Sequence, residues 1–152
     1  MPPLVSEIDI DRPAEEVFAY ATDPTRFPEW QRDVVEVRTA GSGRLEVGSR
    51  FTTVRRIGRG PRTMTQEVTE VSPPRSWAAR GVDGLFRPSA TVTVEPFDAG
   101  ARSHVTFTLD FEGQGFGDLF TPAIRKMAAK TAPTSYRRLK ERLESGAAAR
   151  SS

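Results

Sequence analysis

A chain of 152 residues and 16.8 kDa is most simply one domain, long enough to bury roughly 70% of the surface its unfolded form exposes. It has no cysteine, which excludes disulfides, thiolate-bound metal and a cysteine nucleophile, and no run approaching the about 18 consecutive apolar residues of a membrane span. The formal charge of +2 and pI of 9.4 are too weak a bias to imply an anionic partner.

Residues 4–10 alternate, with Leu4, Ser6, Ile8 and Ile10 on one face and Val5, Glu7 and Asp9 on the other, the pattern of a half-buried strand. The start carries neither a basic region nor an apolar signal core, so a cytoplasmic protein is expected. Asp11 is placed to cap a helix, with Pro13 near the first turn and Glu15 and Glu16 favoured by the helix dipole. Val17, Phe18 and Ala21 form its apolar stripe, and Asp23-Pro24 ends it. Residues 25–30 read as a second short helical turn.

Strands are predicted at 34–38, 50–57, 63–71, 76–81, 89–95 and 103–111, with turns of glycine and proline between them. The loop 82–88 carries Leu85 and Phe86, an apolar pair suited to gating. From Phe116 the spacing turns helical: Phe116, Leu119, Phe120, Ala123, Ile124 and Met127, then Tyr136, Leu139 and Leu143. Pro133 interrupts this stripe, so a bend or a break near Ala132 is predicted. Residues 147–152 read as a flexible tail beyond a single domain of residues 1–146. Lysine is confined to Lys126, Lys130 and Lys140 while arginine abounds, a bias that fits a GC-rich bacterial genome.

Five segments follow one another in a telling order. They are Asp11-Arg12-Pro13-Ala14-Glu15-Glu16-Val17-Phe18 after the opening strand, Phe27-Pro28-Glu29-Trp30, and Val47-Gly48-Ser49-Arg50-Phe51. Glu67-Val68-Thr69-Glu70-Val71-Ser72-Pro73-Pro74 and the closing Leu139-Lys140-Glu141-Arg142-Leu143-Glu144 complete the set. Together they resemble the SRPBCC superfamily, which holds START domains, polyketide cyclases/dehydrases and birch-pollen-allergen-like proteins. The resemblance implies an α+β helix-grip fold: a seven-stranded curved antiparallel sheet around a long C-terminal helix, two short N-terminal helices closing one end, and an internal cavity. It further implies binding of a hydrophobic small molecule, lipid-like or polyketide-like, with or without chemistry on it.

On that fold, alternation places a set of side chains toward the helix. The cavity candidates are Trp30, Val35, Phe51, Thr53, Arg55, Gln66, Trp77, Phe86, Phe107, Phe120, Ile124 and Met127. Most are ordinary core types. Thr53, Arg55 and Gln66 stand out, because a polar group on an apolar face must be paired, wet or functional. The Arg55 guanidinium could hold a carboxylate or enolate oxygen, or reach solvent along its apolar stem. A hollow of about 300 Å³ or more suits a typical small-molecule site.

The remaining chemistry is sparse. His104, the single histidine, falls on the outward face of its strand, out of reach of a cavity substrate. Asp33, Glu36 and Asp83 are possible acids, but no carboxylate pair has acid/base spacing. No P-loop, dinucleotide loop or Ser-His-Asp signature occurs, so no cofactor, no metal and no named catalytic residue is expected. The leading expectation is a ligand-binding module. A polyketide cyclase/dehydrase-type enzyme, with Asp33 moving a proton, is the alternative. A regulator contacting protein or nucleic acid ranks last, because the basic segments lack interleaved aromatics.

Overall fold

Among the described residues of this computed structural model, seven strands, β1 Leu4–Ile10, β2 Val34–Thr39, β3 Arg50–Ile57, β4 Gly60–Ser72, β5 Ser76–Gly81, β6 Phe86–Phe97 and β7 Arg102–Gly113, are joined by four helices. The helices are α1 Ala14–Ala21, α2 Phe27–Trp30, α3 Gly117–Glu144 and α4 Ala147–Arg150, with a 3₁₀ turn, Pro24–Arg26, leading into α2. The structure describes residues 3–39, 46–57, 60–83, 86–113 and 117–150, and their side chains other than those of Ile57, Phe86, residues 112–121, Ile124 and residues 149–150. No helix among the described residues is long and apolar enough to cross a membrane.

The strands form one antiparallel sheet in the order β1-β7-β6-β5-β4-β3-β2. β1 and β2 therefore lie on opposite edges, and the segment between them has to cross the sheet. That crossing is made by α1, the 3₁₀ turn and α2, which roof one end of the concave face. Two bulges, between Val34 and Glu36 in β2 and between Val68 and Glu70 in β4, add local bend and twist to a sheet already curved. The fold is the helix-grip of the START-type proteins, with α3 laid along β7 and β1.

The β2 bulge corrects the reading of Val35. Strict alternation backward from Val37 turns Val35 inward. In the structure Val34 pairs with Arg55 and Glu36 with Val54, so Val35 is the extra residue. Val34 is buried in its place, and Val35 is 50% exposed. Simple period-two patterning does not survive an inserted residue.

Other boundaries also move. Asp11 does not cap α1; Pro13 occupies that position without a side-chain hydrogen bond. Asp11 instead pairs with Arg102 at 3.4 Å, and its backbone N–H donates to Glu144 Oε2 at 2.8 Å. Residues 86–88, expected in a loop, begin β6, while Leu85 lies outside the described residues. Pro133 neither ends nor splits α3, which runs unbroken from Gly117 to Glu144 with Pro122 and Pro133 inside it. Pro133 and Ala129 are both exposed, so the Ala129 carbonyl that loses its donor can turn to water.

The buried stripe of α3 is carried on its C-terminal half by Ser135, Leu139 and Leu143. Leu139 and Leu143 join Ile10, Val17, Phe51, Val68, Val94 and Val105 among the fully buried side chains. Arg12 donates to the carbonyls of Leu143 and Glu144, both at 3.1 Å, capping α3 where its dipole favours a cation. Gly146, at φ +79°, ends the helix in the left-handed conformation glycine tolerates best. Beyond it, residues 147–150, expected as a flexible tail, form α4. Ala148 is buried, and its carbonyl accepts from Arg26.

Candidate functional site

The roof helices, the concave sheet face and α3 do not meet everywhere. A cavity of about 150 Å³ remains between them. This is half the volume expected, because aromatic rings occupy much of the hollow. Phe107 of β7 and Tyr136 of α3 stack at 3.9 Å between centroids and 9° between planes. Trp30 of α2 leans on both, at 6.2 and 6.3 Å. Phe27 stands edge-on to Trp30, Phe51 and Trp77, the geometry that aromatic quadrupoles favour.

Six of the residues singled out in the sequence line this cavity: Trp30, Arg55, Gln66, Trp77, Phe107 and Met127. Met127 sits at the rim, 40% exposed. Phe51 and Thr53 face inward but are sealed in the core beneath it. Val35 is turned away. The side chains of Phe86, Phe120 and Ile124 lie outside the described residues.

Phe27, Asp33 and Tyr136 were not among the cavity candidates, yet all three line the cavity. Tyr136 stood in the predicted helical stripe, where an aromatic reads as core. Its hydroxyl was the available signal, since a buried phenol needs a partner or a void.

Polar groups fall in two places. At the rim, Arg55 Nη1 donates to both Asp33 carboxylate oxygens, at 3.1 and 3.3 Å. The backbone N–H of Arg56 fixes Asp33 further by donating to its carbonyl at 2.7 Å. Burial pushes the Tyr136 phenol up to about 12; the nearby Arg55 charge pulls it down and the Asp33 charge pushes it up. The hydroxyl therefore stays protonated well above neutral pH and can donate. Deeper in, the indole nitrogens of Trp30 and Trp77, Thr53 Oγ1 and Gln66 Oε1 are buried with no hydrogen-bond partner among the described residues. Each such group typically costs about 1–3 kcal/mol.

His104 lies on the outer sheet face, bonded to Asp9 at 2.6 Å and Glu7 at 3.1 Å. Hydrogen bonds to Asp9 and Glu7 raise its pKa above the ordinary value of 6.5. It is not among the described residues that line the cavity.

Comparison with known proteins agrees with this geometry. No curated protein matches the sequence. Among solved structures, TTHA0849 from Thermus thermophilus superposes with a TM-score of 0.77 at 21% identity, over 95% of this chain and 99% of that one. A START superfamily protein from Mycobacterium smegmatis gives 0.76 at 14% identity, over 95% and 99%. The di-domain ARO/CYC protein BexL of the BE-7585A biosynthetic pathway gives 0.72 at 18% identity, over 95% of this chain and 47% of BexL. At these identities the likeness is one of fold. Residues 1–144 match the family described as polyketide cyclase / dehydrase and lipid transport, and the chain belongs to that family.

Proposed function

We propose that the protein takes up a hydrophobic or amphipathic small molecule in the cavity between the sheet and α3. The observation that supports this most strongly is the unfilled, aromatic-walled hollow itself. A cavity of comparable size can admit a single aromatic ring. A long lipid or an extended polyketide would need the walls to move apart. The lack of cysteine supports a reducing, cytoplasmic setting.

A second reading has one specific observation in its favour. Arg55, Asp33 and Tyr136 converge on the same void, and a cyclase or dehydrase needs such groups. Arg55 and the Tyr136 hydroxyl would hold an enolate oxygen, and Asp33 would take the proton from the adjacent carbon. Both readings share one test. Native mass spectrometry of freshly purified protein, followed by a panel of lipids and aromatic polyketides, should reveal a bound species. Arg55→Leu should change affinity or turnover; unchanged binding in a folded variant contradicts the assignment of Arg55 to the site.

A further inference from the structure

The cavity has more to say about its occupant than that it is apolar. Its walls are flat rings: the stacked Phe107 and Tyr136 with Trp30 beside them. Its volume suits one ring. Its rim carries the Arg55–Asp33 pair; Arg56, next along β3, is exposed and meets the rim through its backbone N–H to the Asp33 carbonyl, so the cation offered to a ligand is Arg55. Asp33 engages only Nη1 of Arg55, which leaves Nη2 and Nε without a protein partner among the described residues. The Tyr136 hydroxyl likewise has no protein partner among them.

A second polar point lies farther in. Gln66 is 4% exposed, lines the cavity, and its Oε1 has no partner among the described residues. Gln66 pairs with Phe51, four residues along β3 from Arg55, a separation of about 13 Å at strand rise. The terminal amide torsion of glutamine is soft, so the carboxamide can turn toward a ligand.

Resting on the binding reading above, we infer that the cavity is built for a single-ring aromatic monoanion bearing a hydroxyl at its far end. The carboxylate takes the free edge of Arg55 and the Tyr136 hydroxyl, the ring lies against Phe107, Tyr136 and Trp30, and the hydroxyl meets the Gln66 amide. The aromatic walls hold the ring, while the two polar ends fix its direction.

The chain's two tryptophans, Trp30 and Trp77, both line the cavity, so indole fluorescence reports on it, with calorimetry as the second readout. Toluene, benzoate, 4-hydroxybenzoate, benzylamine and palmitate are titrated into the intact protein. The expected order is 4-hydroxybenzoate tightest, then benzoate, then toluene, with about tenfold per added polar contact, and benzylamine weakest. Arg55→Met should erase the preference for benzoate over toluene. Gln66→Leu should erase the preference for 4-hydroxybenzoate over benzoate. If toluene or palmitate binds as tightly as 4-hydroxybenzoate, the hydroxy-acid inference is overturned and the binding reading stands. If none of the five binds, both fall.

Discussion

At the scale of single residues, Tyr136 is the most exacting witness. Its phenol is held up to about 12, against 10 in the unfolded chain, mainly because burial penalises the phenolate. The folded state therefore binds this proton more tightly than the unfolded state. Its contribution is complete below pH 10 and is lost as pH rises toward 12. Urea midpoints should fall across that window in the parent and fall less steeply in Tyr136→Phe. An equal slope in both would show that the phenol is not buried. His104 behaves with the same sign at lower pH. Its folded pKa is raised by Asp9 and Glu7, so its contribution is complete below about 6.5 and is lost as pH rises through the folded value. The pair is exposed, and its effect should be small. These residues also show what the sequence could and could not disclose. The outward placement of His104 was legible because alternation in β7 runs unbroken. The inward placement of Val35 was misread because the β2 bulge inserts a residue that leaves no mark in composition. A pair of substitutions tests the bulge directly. Val34→Ala should destabilise by about 2 kcal/mol, whereas Val35→Thr should change stability by less than about 0.5 kcal/mol. Equal costs would mean the register is wrong.

At the scale of elements, the roof is fastened to α3 by a polar clamp centred on Glu29. Its carboxylate accepts from Tyr20 at 3.0 Å, from Arg26 at 3.2 Å and from Arg142 at 3.1 Å. Arg138 donates to the Glu29 carbonyl at 2.8 Å. Burial works against ionisation of Glu29, but hydrogen bonds from Arg26 and Tyr20 and the charges of Arg26 and Arg142 hold its pKa below 4.5. The clamp is thus fully set above pH 4.5 and is released as acid titrates the carboxylate through its lower folded value. Because α2 also carries Phe27 and Trp30, Glu29→Ala should loosen the roof. We expect a loss of about 1 kcal/mol and faster ligand dissociation, read by stopped-flow fluorescence. An unaltered dissociation rate would show that the roof is held by its apolar contacts alone. The clamp was not visible in the sequence, because its members lie up to 122 residues apart and each reads as a solvated surface charge. The elements it joins were visible: alternation and proline-glycine turns marked every strand, and helical spacing marked α3. What patterning missed is how far β4 and β6 extend and that α3 continues through Pro133, which lies on the wet side of the helix.

At the scale of the whole molecule, a sheet with its first and last strands side by side can only reach its far edge by crossing its own concave face. That crossing, together with α3, encloses a space that the available side chains do not fill. The family resemblance carried this architecture and the existence of a hollow; the volume and the chemistry at its two ends came from packing, which depends on contacts distant in sequence. Filling the void should separate stability from function. Ala132 of α3 lines the cavity, and Ala132→Leu should hold or raise the thermal midpoint while abolishing uptake of toluene. A variant that still binds would place the ligand elsewhere. The most direct measurement is an NMR titration of ¹⁵N-labelled protein with toluene, following the two indole N–H signals of Trp30 and Trp77. Saturable shifts of both indoles, with the outer-face amides around His104 unmoved, are predicted. Stationary indoles, or shifts confined to the outer face, would contradict a ligand-accepting interior.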